Sequence, residues 1–531
     1  MIGEIMDGQG KSITAGRLRE PGMALTVHRP GIPSCRVKNP LLCLLLCLLP
    51  GTGMFSALQA QDNTLYFLHA VPQSIDLNPA IQYGCRMFVE LPVLSSIGVS
   101  LNSTGAGYHD LIHYGTGSQS DSLYYDFNGL QKKLRKLNAL KADLDLTLLG
   151  FGFARDDWYF SFRIASHTQL RAEIPSDILA LKDGNWNTSA NVPLNINLTG
   201  MGANAISYFS IAATASKCVD DNLQWGVRVK YLMGAANGNT GSSQLKLITT
   251  NNPITLDAVS KVKLNASFPV DIAYDAQGYA TSANFSRAGK NIVHNYIFNG
   301  NQGLGVDLGV VYRYDDNITF YASAIDLGFI WWRSNINRFT ADGSFVFKGI
   351  DLAGLNNGQQ TQLLNALNDS ISNALRLSNS RHSYVTLLSS KIFGGATYRI
   401  SPVLSAGLLA KSEIYDWGLH PSLTASLNYT PFRFLSLSVS NSYMNNVVDN
   451  LGMAIAVGGR IAQFYLVSDN IPLRYVKDKA TGMVWPYNAR SVSLRFGINL
   501  LFGCNDKGRK IHSLGSASCP AYDRPVVIRK M

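Results

Sequence analysis

Residues 490–503 read RSVSLRFGINLLFG. Val492, Leu494, Phe496, Ile498, Leu500 and Phe502 fall on one side of an extended chain, and Ser491, Ser493, Arg495, Gly497 and Asn499 on the other, because successive side chains of a strand point to opposite faces. An unbroken apolar row opposite a row that holds an arginine needs surroundings that are oily on one side and wet on the other. The same pattern recurs along the chain. In FRFLSLSVSNSY (432–443), Leu435, Leu437, Val439 and Tyr443 oppose Ser436, Ser438, Ser440 and Ser442, and in LQWGVRVKYLM (223–233) the apolar row from Leu223 to Met233 opposes Gln224, Gly226, Arg228 and Lys230. GVDLGVVYRY (305–314) sets Val306, Leu308, Val310, Tyr312 and Tyr314 against Asp307, Gly309 and Arg313, and DWYFSFRIA (157–165) sets Trp158, Phe160, Phe162 and Ile164 against Tyr159, Ser161 and Arg163.

A soluble β-sandwich also has strands with one apolar face, but three features separate this chain from it. The segments run to about 9–12 residues, the length a tilted strand needs to cross a bilayer, where ordinary strands average about five or six. Tyrosine and tryptophan gather near their ends, as in a membrane-interface girdle. The polar faces are serine, glycine, asparagine and threonine with scattered arginine, unlike the lysine- and glutamate-rich faces of soluble proteins. Tight connections around Asp156, Asp316, Arg399–Pro402, Tyr429–Phe432 and Gly458–Arg460 alternate with long ones near 103–143, 166–203, 235–303, 327–390 and 469–489, as short periplasmic turns and longer outer loops do in outer-membrane barrels. Strands starting near 94, 144, 158, 204, 223, 304, 318, 391, 403, 419, 433, 452, 461 and 490 predict an all-β fold, an antiparallel transmembrane β-barrel of about 14 strands. On that reading Arg163, Arg228, Lys230, Arg313, Lys411 and Arg495, with Asp145 and Asp307, face a lumen of net positive charge, and an open pore would prefer anions.

Composition agrees. Charged residues make up 15% of the 531-residue chain, its mean hydropathy is +0.03, and no run approaches the roughly 18–20 apolar residues of a spanning helix. The dense apolar run from Leu41 to Leu49 follows Arg36 and Lys38 and precedes small residues up to Ala60, the order of a secretory signal cleaved near Ala60. Residues 1–38 read as an extension upstream of it, with Met23 an alternative start, and neither Cys43 nor Cys47 has the small preceding residues of a lipid-attachment site. Without residues 1–60 the formal charge falls from +11 to +8, because six Lys/Arg and three Asp/Glu leave. The expected organisation is 1–60 extension and signal peptide, 61–93 a plug or lead-in, 94–502 barrel and 503–531 tail. Residues 61–93 hold Pro72, Pro79 and Pro92, which disfavour full-length strands. Cys504 and Cys519 sit together in the tail, but their connectivity is not readable from sequence.

The ending SVSLRFGINLLFG resembles the assembly signal of bacterial outer-membrane proteins, although a 29-residue tail follows Phe502 (531 − 502). DNTLYFLHAVPQSIDLNPA (62–80), GRIAQFYLVSDNIP (459–472) and FGINLLFG (496–503) together resemble a Bacteroidota outer-membrane β-barrel family, domain of unknown function family 5723. Asn78-Pro79-Ala80 is similar to a signature in the N-terminal plug of long-chain fatty-acid channels, which have 14 strands, and also occurs in barrels of the Bacteroidota secretion and gliding machinery. On its own the triplet also reads as a simple turn. These resemblances imply a cell outer-membrane location, contact with lipid and lipopolysaccharide, and delivery by the barrel-assembly machinery. They imply either a passive channel for small, hydrophobic or anionic solutes, or a structural barrel of a secretion or motility complex.

The chain shows no Gly-x-Ser-x-Gly elbow and no His set suited to catalysis, so no enzyme, cofactor or nucleic-acid partner is expected. His109 and His113 are four residues apart, which fits either two metal ligands or two surface side chains. Two loops read as helical. DFNGLQKKLRKLNALKADL (126–144) carries Leu130, Leu134 and Leu137 among basic residues, and 354–377 carries Leu363, Leu364, Leu367, Ile371 and Leu375 at helical spacing. The first would lie on anionic lipopolysaccharide, line a pore mouth or pack on the barrel rim, and the second would fold inward as a constriction or gate or cap the rim.

Overall fold

Strands that face hydrocarbon must close into a ring, because no water is present to satisfy an open edge. A computed structural model describes residues 62–522 except 106–107, 115–122, 184–185, 188–191, 194, 242, 252–253, 275–279, 285–290, 292, 348–377, 381, 416–417, 445–446, 460, 472–474, 478–483, 487–490, 505–508 and 511–520. Fourteen antiparallel strands form a closed barrel. They are β1 (Met87–Glu90 and Ile97–Ser103), β2 (Leu137–Arg155), β3 (Trp158–Pro175), β4 (Gly202–Cys218), β5 (Leu223–Thr240), β6 (Gln302–Arg313) and β7 (Ile318–Trp332). The ring continues through β8 (Tyr384–Leu387 and Ser390–Ser401), β9 (Leu404–Tyr415), β10 (Gly418–Phe432), β11 (Leu435–Met444), β12 (Val447–Gly458), β13 (Ala462–Ser468) and β14 (Ser491–Phe502). It closes where β14 pairs with β1, Met87 opposite Phe502 and Ile97 opposite Phe496. Each predicted start lies on or close to one of these strands.

The alternation sorts as a membrane barrel requires. On β6 the row Leu304, Val306, Leu308, Val310 and Tyr312 is exposed outward, and Gly303, Asp307, Gly309 and Val311 are buried on the inside. On β11 the four serines are buried. Tight turns follow the local chemistry. Asp220 and Asp315 each accept two backbone N–H bonds through their own side chains (Asn222 and Leu223; Asn317 and Ile318), and Asp156 takes the left-handed conformation (φ 54°) between β2 and β3. The turn expected at Tyr429–Phe432 lies instead after Phe432, with Pro431 in a register shift of β10, a place where a strand tolerates the missing N–H.

Several strands outrun the membrane. The strands β2 to β5 hold 17 to 19 residues each, so the outer connections are shorter than expected. The basic helix expected to reach Leu137 runs only from Phe127 to Lys133, capped by Asp126, after which Leu134 is extended and β2 begins. The outer end of β5 pairs with Ile254–Ser267, which pairs with Ile336–Phe347, raising a small sheet beyond the barrel. The helical pattern of 354–377 and the signal segment 1–60 lie outside the described residues.

Residues 62–86 run inside the ring. Pro72 and Pro79 keep the segment from pairing as a strand, and it forms a short helix (Asn63–Tyr66), a 3-10 turn (Pro72–Asp76) and extended links. Leu65, Phe67, Val71, Ile75 and Tyr83 are buried against the inward side chains Tyr159, Phe393, Leu409, Tyr465 and Leu501. The Tyr66 ring stacks on Phe393 at 5.1 Å and meets Tyr321 edge-on at 6.3 Å. Each fully buried apolar side chain of this kind contributes roughly 1.5–3 kcal/mol. The barrel therefore begins at Met87, earlier than the expected residue 94, and β1 is interrupted over residues 91–96. There Val93 has φ 63°. The Ser95 carbonyl accepts from Gln73 at 3.1 Å and from the Tyr465 hydroxyl at 2.9 Å. Only glycine fits beneath it on β14, because a Cβ on Gly497 would overlap that carbonyl.

Cys504 is bonded to Cys85 and not to Cys519, the neighbour the tail suggested. The bridge ties the lower end of the inner segment to the residues after β14, beside the seam where the ring closes. Reduction, or Cys504→Ser, is expected to destabilise the barrel by roughly 2–5 kcal/mol. The temperature at which the folded gel band converts to the unfolded one should fall, and an unchanged temperature would contradict a structural role for the bridge.

Candidate functional site

The inner segment is seated on two glycines. Gly226 of β5 and Gly309 of β6 are direct cross-strand partners. A Cβ on the first would collide with the backbone of Pro79, and one on the second with the Asn78 side chain. Their absent side chains let the Asn78-Pro79-Ala80 backbone lie against the wall. Asn78 is fully buried. Its amide points at the carbonyls of Val310 and Ala322 and at the Tyr66 hydroxyl, each at 3.4 Å, and its oxygen accepts from the Ala80 N–H at 3.0 Å. Burial pushes the Tyr66 phenol up to about 12, so it stays neutral beside Asn78 and Ser323.

Directly beyond this seat lies a layer of paired charges. Arg163 of β3 binds both Asp76 of the inner segment and Glu90 of β1. Arg228 reaches Asp307 at 3.2 Å and Asp76 at 3.3 Å, and donates to the Ile75 carbonyl at 2.6 Å. Lys230 lies 2.8 Å from Asp307 and 2.6 Å from Asp326. Across the lumen, Arg495 bridges Asp62 (3.0 Å) and Asp145 (3.2 Å), and Asp145 also holds His167 at 2.8 Å. Lys141 pairs with Glu413 at 2.5 Å and Asp143 at 3.4 Å. In a low-dielectric interior such charges persist only when paired.

Two adjoining cavities open within this layer and share Asp62, Asp145, Gln169 and Lys391 in their walls. Nearer the outer end, on the β4, β5, β7 and β8 side, Ile206, Tyr208, Leu232, Ile330, Trp332 and Leu388 form an apolar cluster. The lumen is thus layered: apolar inner segment, charged chamber, and a partial apolar cover.

Of the side chains expected in the lumen, Arg163, Arg228, Lys230, Lys411 and Arg495, with Asp145 and Asp307, line this layer or its two cavities. Arg313 shares the inward face of β6 but lies next to the tight turn and is only half buried, so it is outside the chamber. Among the described residues the positive excess expected of the lumen is offset by Asp62, Asp76, Glu90, Asp143, Asp326 and Glu413, which pair with the cations. His113 lies 3.9 Å from Asp126 in the outer loop, and no group of three metal-binding side chains occurs among the described residues.

A family of unknown function (DUF5723) matches residues 79–469. The chain belongs to that family. No curated protein matches it. Among solved structures it is similar to the toluene transporter TodX of Pseudomonas putida, with 9% identity over 82% of this chain and 91% of that one and a TM-score of 0.33. It is also similar to a FadL homologue of Pseudomonas aeruginosa (11% identity, 85% and 100% coverage, TM-score 0.36) and to the toluene transporter TbuX of Ralstonia pickettii (9%, 81% and 94%, 0.37).

Several chamber residues carried a signal in the sequence. Asp143 shares the parity of Asp145, and Glu413 that of Lys411, so alternation alone places them inward. Asp326 carried none: it sits in the left-handed conformation (φ 60°) at a bulge, where its N–H donates to Asp307 at 2.7 Å and the inward parity of β7 switches. Removing Arg163 tests the charge layer. Arg163→Met leaves Glu90 and Asp76 short of a partner and should lower unfolding stability by roughly 3–5 kcal/mol, measured by urea titration of the refolded barrel; a loss under about 1 kcal/mol would argue against a tightly paired layer.

Proposed function

We propose that the protein is an outer-membrane channel, closed at rest by its inner segment, for small polar solutes that carry charge. The observation that supports this most directly is the two-sign chamber held above a segment that enters the lumen without belonging to the wall. Its Asp, Glu, Lys and Arg side chains are suited to a hydrated or zwitterionic solute and poorly suited to a hydrocarbon. The inner segment meets the wall through the apolar core around Leu65, Phe67, Val71 and Ile75 and through polar bonds and a glycine seat, and Cys85–Cys504 keeps it attached while those contacts are remade.

Planar-bilayer recording of the purified full chain tests the reading. Gly226→Val puts a branched side chain into the space of Pro79 and should unseat the segment, raising conductance at least about tenfold over the wild type, with anion and cation permeabilities within about threefold of each other. Equal conductances, or a silent variant whose barrel is folded by gel shift, would refute the gated channel. A stoichiometric protein partner retained in mild detergent, with solute uptake unchanged on deletion of the gene, would instead favour a structural barrel of a secretion or motility complex.

A further inference from the structure

Lys411 is the one chamber cation whose charge the chain leaves unmatched among the described residues. It is 8% exposed, on the inward face of β9 between its two cross-strand partners, Phe393 of β8 and Ser422 of β10. Its ammonium lies 5.7 Å above the Phe393 ring, and no carboxylate among the described residues forms an ion pair with it. Of the carboxylates around it, Glu413 is held by Lys141 at 2.5 Å, Asp145 by His167 and Arg495, and Asp62 by Arg495 at 3.0 Å, with Lys391 at 3.8 Å, while Asp469 accepts from the Thr64 N–H at 2.8 Å through one of its two oxygens. A ring face offsets only part of the cost of withdrawing an ammonium from water.

We propose that Lys411, with Lys391 and the Ser422 hydroxyl, binds an oxyanion group, a carboxylate, sulfate or phosphate, carried by a solute in the cavity beside β9. All three side chains line that cavity. An oxyanion placed there would accept charge-assisted hydrogen bonds from two ammonium groups and one from Ser422. Asp62, Asp143, Asp145 and Glu413 share the wall of this cavity and repel an anion elsewhere in it. Tyr415 and His420, which stack at 3.8 Å, line the same cavity, and the Arg171 guanidinium lies 3.9 Å above Tyr415. This subsite gives the chamber of the proposed channel its solute class, and it rests on that reading only for the solute's passage.

Calorimetric titration of the detergent-solubilised full chain with sodium phosphate, sulfate and acetate, at ionic strength held constant with chloride, tests it. Saturable binding of at least one probe is expected, weakened at least about tenfold by Lys411→Met and within about threefold of wild type in Lys411→Arg. Without added oxyanion, Lys411→Met should resist heat at least as well as the wild type, since it removes an unmatched buried charge; that separates lost binding from lost folding. Acetate alone would assign carboxylate solutes, and phosphate or sulfate alone tetrahedral oxyanions; both results support the site. No saturable binding of any probe to the wild type, or undiminished binding to folded Lys411→Met, would overturn it. Binding without conductance would keep the subsite and remove the channel reading, and conductance without binding would do the reverse.

Discussion

A ring of fourteen strands encloses more space than its own inward side chains fill: eight-stranded barrels pack solid, and barrels of sixteen to eighteen strands hold an aqueous channel. The chain meets this constraint with residues 62–86. Their apolar side chains supply the lower lumen with a core that the serine-rich inner wall cannot make. Their polar groups, Asn63, Thr64, Gln73, Asn78 and Gln82, bond to side chains or backbone carbonyls of β11, β14, β6, β7 and β4 and of the turn between β2 and β3. The wall is shaped in return. Glycines stand at 226, 309 and 497 where backbone approaches backbone, and β1 breaks at Ser95 so that its carbonyl can turn inward.

The charged layer follows from the same placement. Asp62 and Asp76 belong to the inner segment, and each completes an ion pair with a wall arginine, so seating the segment also neutralises the wall. Movement of the segment would leave Arg163, Arg228 and Arg495 short of partners. That couples closure of the lumen to its electrostatics, and it explains why the charges lie directly beyond the seat. Strands β10 and β11 offer hydroxyl and amide groups instead, such as Thr424, Asn428, Ser438 and Ser442, which bond to one another.

The barrel was legible because a closed sheet in lipid imposes one rule on every strand: with period two, a side chain's parity states its surroundings. Arg163, Arg228, Lys230, Asp307 and Arg495 could be placed that way. The rule fails where parity slips, as at Asp326, and where a segment has no period, as over residues 62–86, so Asp62 and Asp76 could not be assigned. Strand length was underestimated for β2 to β5 because polar residues above the membrane keep pairing without an apolar face, as Asn237–Thr240 do with Leu264–Ser267. Cys504 found Cys85 across 419 residues, a pairing that only ring closure brings together.

Hydrogen–deuterium exchange of the detergent-solubilised full chain measures the seated segment most directly. If residues 64–83 fill the lumen, their amides should exchange as slowly as those of the wall strands they contact, including β6 and β14, and far more slowly than the outer loop that includes Phe127–Lys133. Exchange of 64–83 at the rate of that loop, with the strands still protected, would contradict the account, because the barrel would then stand without the segment on which its lumen chemistry depends.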